Sequence, residues 1–129
     1  MIEEKPRCCY LFENDHRWDE EPTGDGYCYW HSANIIKDHP DDKQKLEAWA
    51  ASGKSMEGFS LKKAKLDHIN LVRPNSNEGY DLSKADLYRA DLTGAHLFRV
   101  NLSGSSLMKA DLSEANLNSA DLTGVNLLG

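Results

Sequence analysis

From Leu82 to Leu127 a leucine returns at every fifth position, ten times in succession. The units read YDLSK, ADLYR, ADLTG, AHLFR, VNLSG, SSLMK, ADLSE, ANLNS, ADLTG and VNLLG. Two residues before most of these leucines stands a second, small apolar residue: Ala85, Ala90, Ala95, Val100, Ala110, Ala115, Ala120 and Val125. The position between them is polar, and so are most of the two that follow. Upstream, FSLKK, AKLDH and INLVR keep the same pattern from Phe59 to Arg73, and the phase slips by one residue across Pro74 to Gly79. A period of five fits neither an α-helix nor a flat strand. A spacing of two puts the small residue and the leucine on one side of an extended segment. Units too short to bury their own apolar side are stabilised by stacking on copies of themselves. An inward pair followed by a turn therefore closes the chain into a narrow coil. Its axis has room for one leucine per unit and only a small neighbour beside it. The pattern predicts an all-β solenoid over residues 59–129.

The unit A(D/N)LXX resembles that of the pentapeptide-repeat proteins, and the resemblance covers more than half of the chain. It implies a right-handed quadrilateral β-helix with four units per coil. Counting 59–73 as three units, 74–79 as one irregular six-residue unit and 80–129 as ten gives fourteen units. That is about three and a half coils, a rod roughly 17 Å tall at the ~4.8 Å spacing of stacked strands. Residues twenty apart then stack, which places Lys65, Asp86, Ser106 and Asn126 in one column and Tyr88 above Met108.

Residues 1–58 read as a small, partly helical N-terminal cap. After Pro40, the stretch DDKQKLEAWAAS predicts a helix near 41–52 with Asp41 as its cap and Gly53 as its stop. Leu46, Trp49 and Ala50 fall on one face, and the nearest surface able to cover that face is the first coil. Ahead of the helix, Cys28 and His31 stand at x2 spacing after the turn PTGDG, with Cys8, Cys9 and His16 upstream. Thiolate and imidazole at such spacing suit tetrahedral zinc, with Cys9, His16, Cys28 and His31 as the ligand set and Cys8 as the alternative to Cys9. The competing reading makes the cysteines small buried hydrophobes and the histidines surface residues. The resemblance implies a Cys-containing leader ending in a C-[YF]-W-H-like motif. A closed four-ligand shell makes one Zn2+ structural, whereas an open three-ligand site allows catalysis or sensing.

At the other end, Leu117, Leu122, Leu127 and Leu128 lie beside an open terminal coil. Two occupants suit it: a second copy meeting end to end, which the resemblance also implies, or further repeats beyond Gly129.

Charge sharpens this picture. The net charge of -6 sits entirely in residues 1–58, with thirteen acids and seven bases, while 59–129 holds eight of each. Neither half has a net basic surplus, which argues against direct nucleic-acid binding. No apolar run is long enough for a membrane span and no signal-peptide pattern opens the chain, so the expected location is cytoplasmic. Three cysteines in such a chain argue against a disulfide framework. No nucleophile elbow, P-loop, dinucleotide fingerprint or HExxH motif occurs. Asp81, Asp86, Asp91, Asp111 and Asp121 recur at one repeat position, where aspartate serves turns.

Outward residues that depart from the pattern mark a candidate partner surface: Tyr88, Arg89, His96, Phe98, Arg99 and Met108. The reading is a non-catalytic protein-protein interaction or scaffold module whose partner is another protein. One alternative, implied by the resemblance, is a DNA mimic acting on DNA gyrase or topoisomerase, for which this rod is short and neutral. A second alternative is a metal-dependent sensor or enzyme working through the Cys/His cluster.

Overall fold

A computed structural model describes residues 29–74 and 76–127. Its repeat is a turn. In each unit the N–H of the following small residue donates to the leucine carbonyl, as from Ala85 to Leu82 at 3.2 Å and from Ala95 to Leu92 at 3.0 Å. The second of the two residues between them has positive φ, as at Lys84 (59°), Arg89 (56°), Arg99 (64°) and Lys109 (58°), or is a glycine such as Gly94 (65°). Positive φ at that position is the mark of a type II turn. The aspartate or asparagine before the leucine accepts from the N–H two residues on: Tyr88 to Asp86, Thr93 to Asp91 and Ser103 to Asn101, each at 3.0 Å. The recurring polar residue is thus part of the turn itself.

Turn follows turn until the chain returns above its own start. Parallel bridges join Asp81 to Asn101 to Asp121, Asp86 to Ser106 to Asn126, Asp91 to Asp111, and His96 to Asn116. Each step is twenty residues, which makes four units per coil. Between coils the leucine N–H donates upward, as from Leu82 to the Asn101 carbonyl and from Leu87 to that of Ser106, both at 2.8 Å. Each unit contributes a single bridge residue to this ladder, so the coil is built from corners and short sides instead of extended strands. Leu82, Leu87, Leu92, Leu97 and Leu102 fill the axis with Ala85, Ala90, Ala95 and Val100 between them, all buried.

The first coil departs from the sequence-based count. Ser60 bridges Asp86, Lys65 bridges Asp91 and Asn70 bridges His96, each pair twenty-six residues apart. The six residues 74–79 therefore loop out of the coil and do not act as a unit. The Asp86 column starts at Ser60, not at Lys65, because that loop adds six residues where one was reckoned. Its return to the coil is tight, since a Cβ on Gly79 would lie 1.8 Å from the Arg99 carbonyl oxygen.

The place left vacant is taken by residues 54–58. Met56 N–H donates to Asp81 O and Gly58 N–H to Ser83 O, both at 2.8 Å, and Phe59 N–H closes the turn onto Met56 O at 3.2 Å. Ser55 stands in for aspartate, its Oγ accepting the Glu57 N–H at 3.0 Å. Gly58 supplies the positive φ, 70°. The first coil therefore begins at 54 instead of 59.

Beneath the first coil lies α1, Asp42–Ala51. Leu46 and Ala50 are fully buried and Trp49 half-buried, as the periodicity predicts. The cap differs from expectation. Asp41 makes no side-chain cap bond. Asp42, almost wholly buried, accepts the His39 N–H at 3.0 Å and the Tyr29 hydroxyl at 2.5 Å instead. Two donors on one carboxylate hold the helix start to residue 29, which a solvated cap would not do. Gly53, at φ 85°, ends the helix region.

Trp30 stacks on Phe59 with ring centroids 5.4 Å apart and planes within 6°, while Trp49 tilts against Phe59 from 5.8 Å. The Trp30 carbonyl accepts the Ser60 N–H at 2.7 Å, and Lys43 Nζ reaches the Asp67 carbonyl at 2.9 Å. One apolar core therefore runs from α1 up the axis of the coil to Leu107.

Candidate interaction surfaces

Four columns define four faces, here numbered in chain order. Face one carries Asp81, Asn101 and Asp121; face two Ser60, Asp86, Ser106 and Asn126; face three Lys65, Asp91 and Asp111; face four Asn70, His96 and Asn116. The partner-surface residues divide between two of them. Tyr88, Arg89 and Met108 lie on face two. His96, Phe98 and Arg99 lie on face four, across the coil. Tyr88, Phe98 and Met108 are half-buried, and an arginine lies over each of the two rings: Arg89 at 5.3 Å from Tyr88 and Arg99 at 4.8 Å from Phe98. Both contacts fall within cation-π range. Arg99 also donates to the Ser76 carbonyl at 3.2 Å and so ties down the loop at 74–79.

Of the metal candidates, Cys8, Cys9, His16 and Cys28 lie outside the described residues. His31 is buried, edge-on to Phe59 at 5.1 Å, with Nε2 2.8 Å from the Glu57 carbonyl. Burial pushes its pKa down to about 4, Lys37 adds to the effect, and the Glu57 hydrogen bond opposes it in part. The neutral ring donates from Nε2, so a metal would have to be taken at Nδ1. A backbone carbonyl holding the second ring nitrogen is the usual support of a ligating histidine. Among the described residues, no group of three His, Cys, Asp or Glu side chains could hold a metal ion.

The leucines at the far end behave unlike their counterparts below. Leu117 is half-buried, Leu122 is 38% exposed and Leu127 57% exposed. Leu128 lies outside the described residues.

Two concavities escaped the sequence. A polar cleft of about 530 Å3 lies where the 74–79 loop meets face one, lined by Glu78, Asp81, Arg99, Asn101, Ser119 and Asp121 among others. An aromatic groove of about 480 Å3 runs along α1 between Tyr29, Trp30, Trp49, Lys45 and Lys54, with Lys54 Nζ 4.6 Å over the Trp49 ring. The cleft's Asp81 accepts from Ser83 N–H (2.9 Å), Ser83 Oγ (2.6 Å) and Ser55 Oγ (3.2 Å). Hydrogen bonds from Ser113 and Thr123 hold the Asp111 and Asp121 carboxyls below the usual range. The Asp111 and Asp121 carboxylates, held in this way, stay ionised and are poor proton carriers.

With this geometry in view, the chain can be compared with known proteins. The family model for pentapeptide repeats matches residues 90–129 in eight copies. A pentapeptide repeat protein from the thylakoid lumen of Arabidopsis thaliana is similar in structure, with a TM-score of 0.55 and 25% sequence identity over 70% of this chain and 55% of that one. The chain thus spans about half the length of that relative. A pentapeptide repeat protein from the cyanobacterium Cyanothece shares 27% identity over 57% of this chain and 56% of its own, at a TM-score of 0.38. No curated protein sequence matches the chain. Among the described residues no helix is long and apolar enough to cross a membrane. Residues 90–129, built of five-residue units stacked four to a coil, carry the pentapeptide repeats that the family model recognises eight times.

Proposed function

We propose that the protein is a non-catalytic interaction or scaffold module, a right-handed quadrilateral β-helix whose outward residues bind another protein. One observation carries this reading: the recurrent carboxylates, the obvious candidates for chemistry, are occupied by the turns that build the coil. What remains at the surface is recognition chemistry. Tyr88 with Arg89 and Met108 on one face combine a ring, a cation and a flexible apolar chain, and Phe98 with Arg99 and His96 across the coil combine two rings and a cation, a composition that binding surfaces favour. The exposed Leu122 and Leu127, with the half-buried Leu117 and with Leu128 as the sequence expects, are read as the seat of a homodimer formed through the terminal coil. One structural Zn2+ on Cys9, His16, Cys28 and His31, with Cys8 as the alternative to Cys9, belongs to the same reading. So does a cytoplasmic location.

DNA mimicry has less support, because carboxylates recur on faces one and three only and the other two faces do not continue them. The test is affinity capture with the full chain, followed by the variants Y88A/R89A and F98A/R99A. Each variant should lose a defined set of captured proteins while keeping its circular dichroism spectrum. Identical captured sets from wild type and both variants would sink the reading, as would inhibition of gyrase supercoiling by the wild-type chain.

A further inference from the structure

The coil sums to zero charge, but the stacking sorts that charge by face. Face two carries Lys62, Lys63, Arg89 and Lys109 against a single carboxylate, Asp86, so four minus one leaves +3. Face three, around the next corner, carries Asp67, Asp91, Asp111 and Glu114 against Lys65 and against Lys43, which reaches the Asp67 carbonyl from α1, so four minus two leaves -2. Lys63, Arg89 and Lys109 hold the same turn position in successive coils, at φ 58°, 56° and 58°, and all three are exposed. They form a cation ladder rising one strand spacing, ~4.8 Å, per coil. Asp91 and Asp111 form an anion ladder of the same rise. The two ladders do not neutralise each other within the chain. Among the described residues the ion pair formed is His39 with Asp41, at 3.7 Å, which involves neither ladder.

From these complementary, unpaired ladders we infer that face two of one copy docks on face three of a second copy, with the rods side by side. The matching rise selects the partner. A second copy presents its carboxylates at the spacing of the cations, so successive rungs pair together. An extended acidic peptide repeats its same-side groups every ~6.8 Å and drifts out of register within two rungs. Tyr88 and Met108, half-buried beside the cation column, supply the apolar centre of the contact. The two faces share a corner, so the contact is heterologous and each copy is rotated by a quarter turn from the last. Four copies close the ring. Single exposed pairs contribute little and are screened by salt, so assembly depends on several rungs acting together and weakens as ionic strength rises. The inference deepens the scaffold reading by naming one partner of its lateral surface, and it does not involve the terminal coil.

Sedimentation velocity of the full chain across a salt series tests it with three variants. K63Q/R89Q/K109Q removes the cation ladder. D91N/D111N/E114Q removes the anion ladder while keeping the turns, since Asn101 and Asn116 already serve at that repeat position. L122S alters the terminal coil alone. Wild type should sediment as a four-copy species that dissociates at high salt. Each ladder variant alone should lose that species with its thermal melt unchanged, and L122S should keep it. An equimolar mixture of the two ladder variants should form a one-to-one pair and nothing larger, because one competent face of each survives. The inference is overturned by a wild type that does not associate at any salt concentration, by a ladder variant that assembles like wild type, or by a mixture that stays at the size of its components. Assembly lost in L122S but kept in both ladder variants would also overturn it and would support the end-to-end contact instead.

Discussion

The pentapeptide ADLTG occurs twice, at 90–94 and at 120–124. Both copies make the same turn. Thr93 N–H donates to Asp91 and Thr123 N–H to Asp121, each at 3.0 Å, and Gly94 and Gly124 have φ of 65° and 71°. Yet Leu92 is 2% exposed and Leu122 38%. The identical local sequence therefore builds an identical corner, while the burial of its leucine is decided by what stacks on it. Leu92 has coils on both sides, with its N–H donating to Asp111 at 2.8 Å. Leu122 lies in the terminal coil. At the opposite end the same problem is solved by Trp30, Phe59 and α1.

The sharpest way to break this comparison is to truncate both leucines. Leu92→Ala should cost about 3 kcal/mol, the transfer term plus a cavity that neighbouring coils cannot collapse, while Leu122→Ala should cost under about 1 kcal/mol. Urea denaturation of the two variants measures the difference. Equal costs would mean that something covers the terminal coil in solution.

The covered end should also respond to acid. The ring of His31 is held neutral, with a pKa of about 4 against the ordinary 6.5. The unfolded chain takes up a proton there that the buried ring refuses. Stability is therefore full above about pH 6.5 and falls as pH drops toward about 4, by at most on the order of 3 kcal/mol. His31→Gln should flatten that part of the curve, which urea midpoints at several pH values would reveal. A wild-type midpoint that does not change between those limits would show the ring to be solvated.

Smaller effects probe how the coils are joined. Gly79→Ala should destabilise by about 2 kcal/mol, because its Cβ meets backbone at Arg99 and either the loop or the coil must shift. Ser105→Ala should stabilise by about 1 kcal/mol. The Ser105 hydroxyl is buried in the alanine position without a hydrogen-bond partner, and alanine restores the repeat. Thermal melts of both variants give opposite signs if the coil is packed as described.

Parts of this architecture were legible from the residues alone. The alternation of Ala and Leu with polar residues marked the inward pair, and Leu46, Trp49 and Ala50 marked the covered face of α1. The first coil was read less well. Its opening unit, Lys54 to Gly58, has methionine where leucine repeats and serine where aspartate repeats, so it carries no visible period. Among the site residues, the twenty-residue register placed Tyr88 above Met108, whereas the two clefts depend on segments distant in sequence meeting in space.

The division has a physical cause. The sequence by itself determined the corner: a turn of five residues whose hydrogen bonds run between neighbours, with the aspartate, leucine and positive-φ position all set within one unit. Only the tertiary structure decided which corner lies over which, because that register depends on partners twenty residues away and changes wherever a loop such as 74–79 intervenes. Burial, the sealing of one end and the sorting of charge onto faces all follow from that register. A period of five is therefore enough to specify a coil, while its surfaces are specified by the stacking.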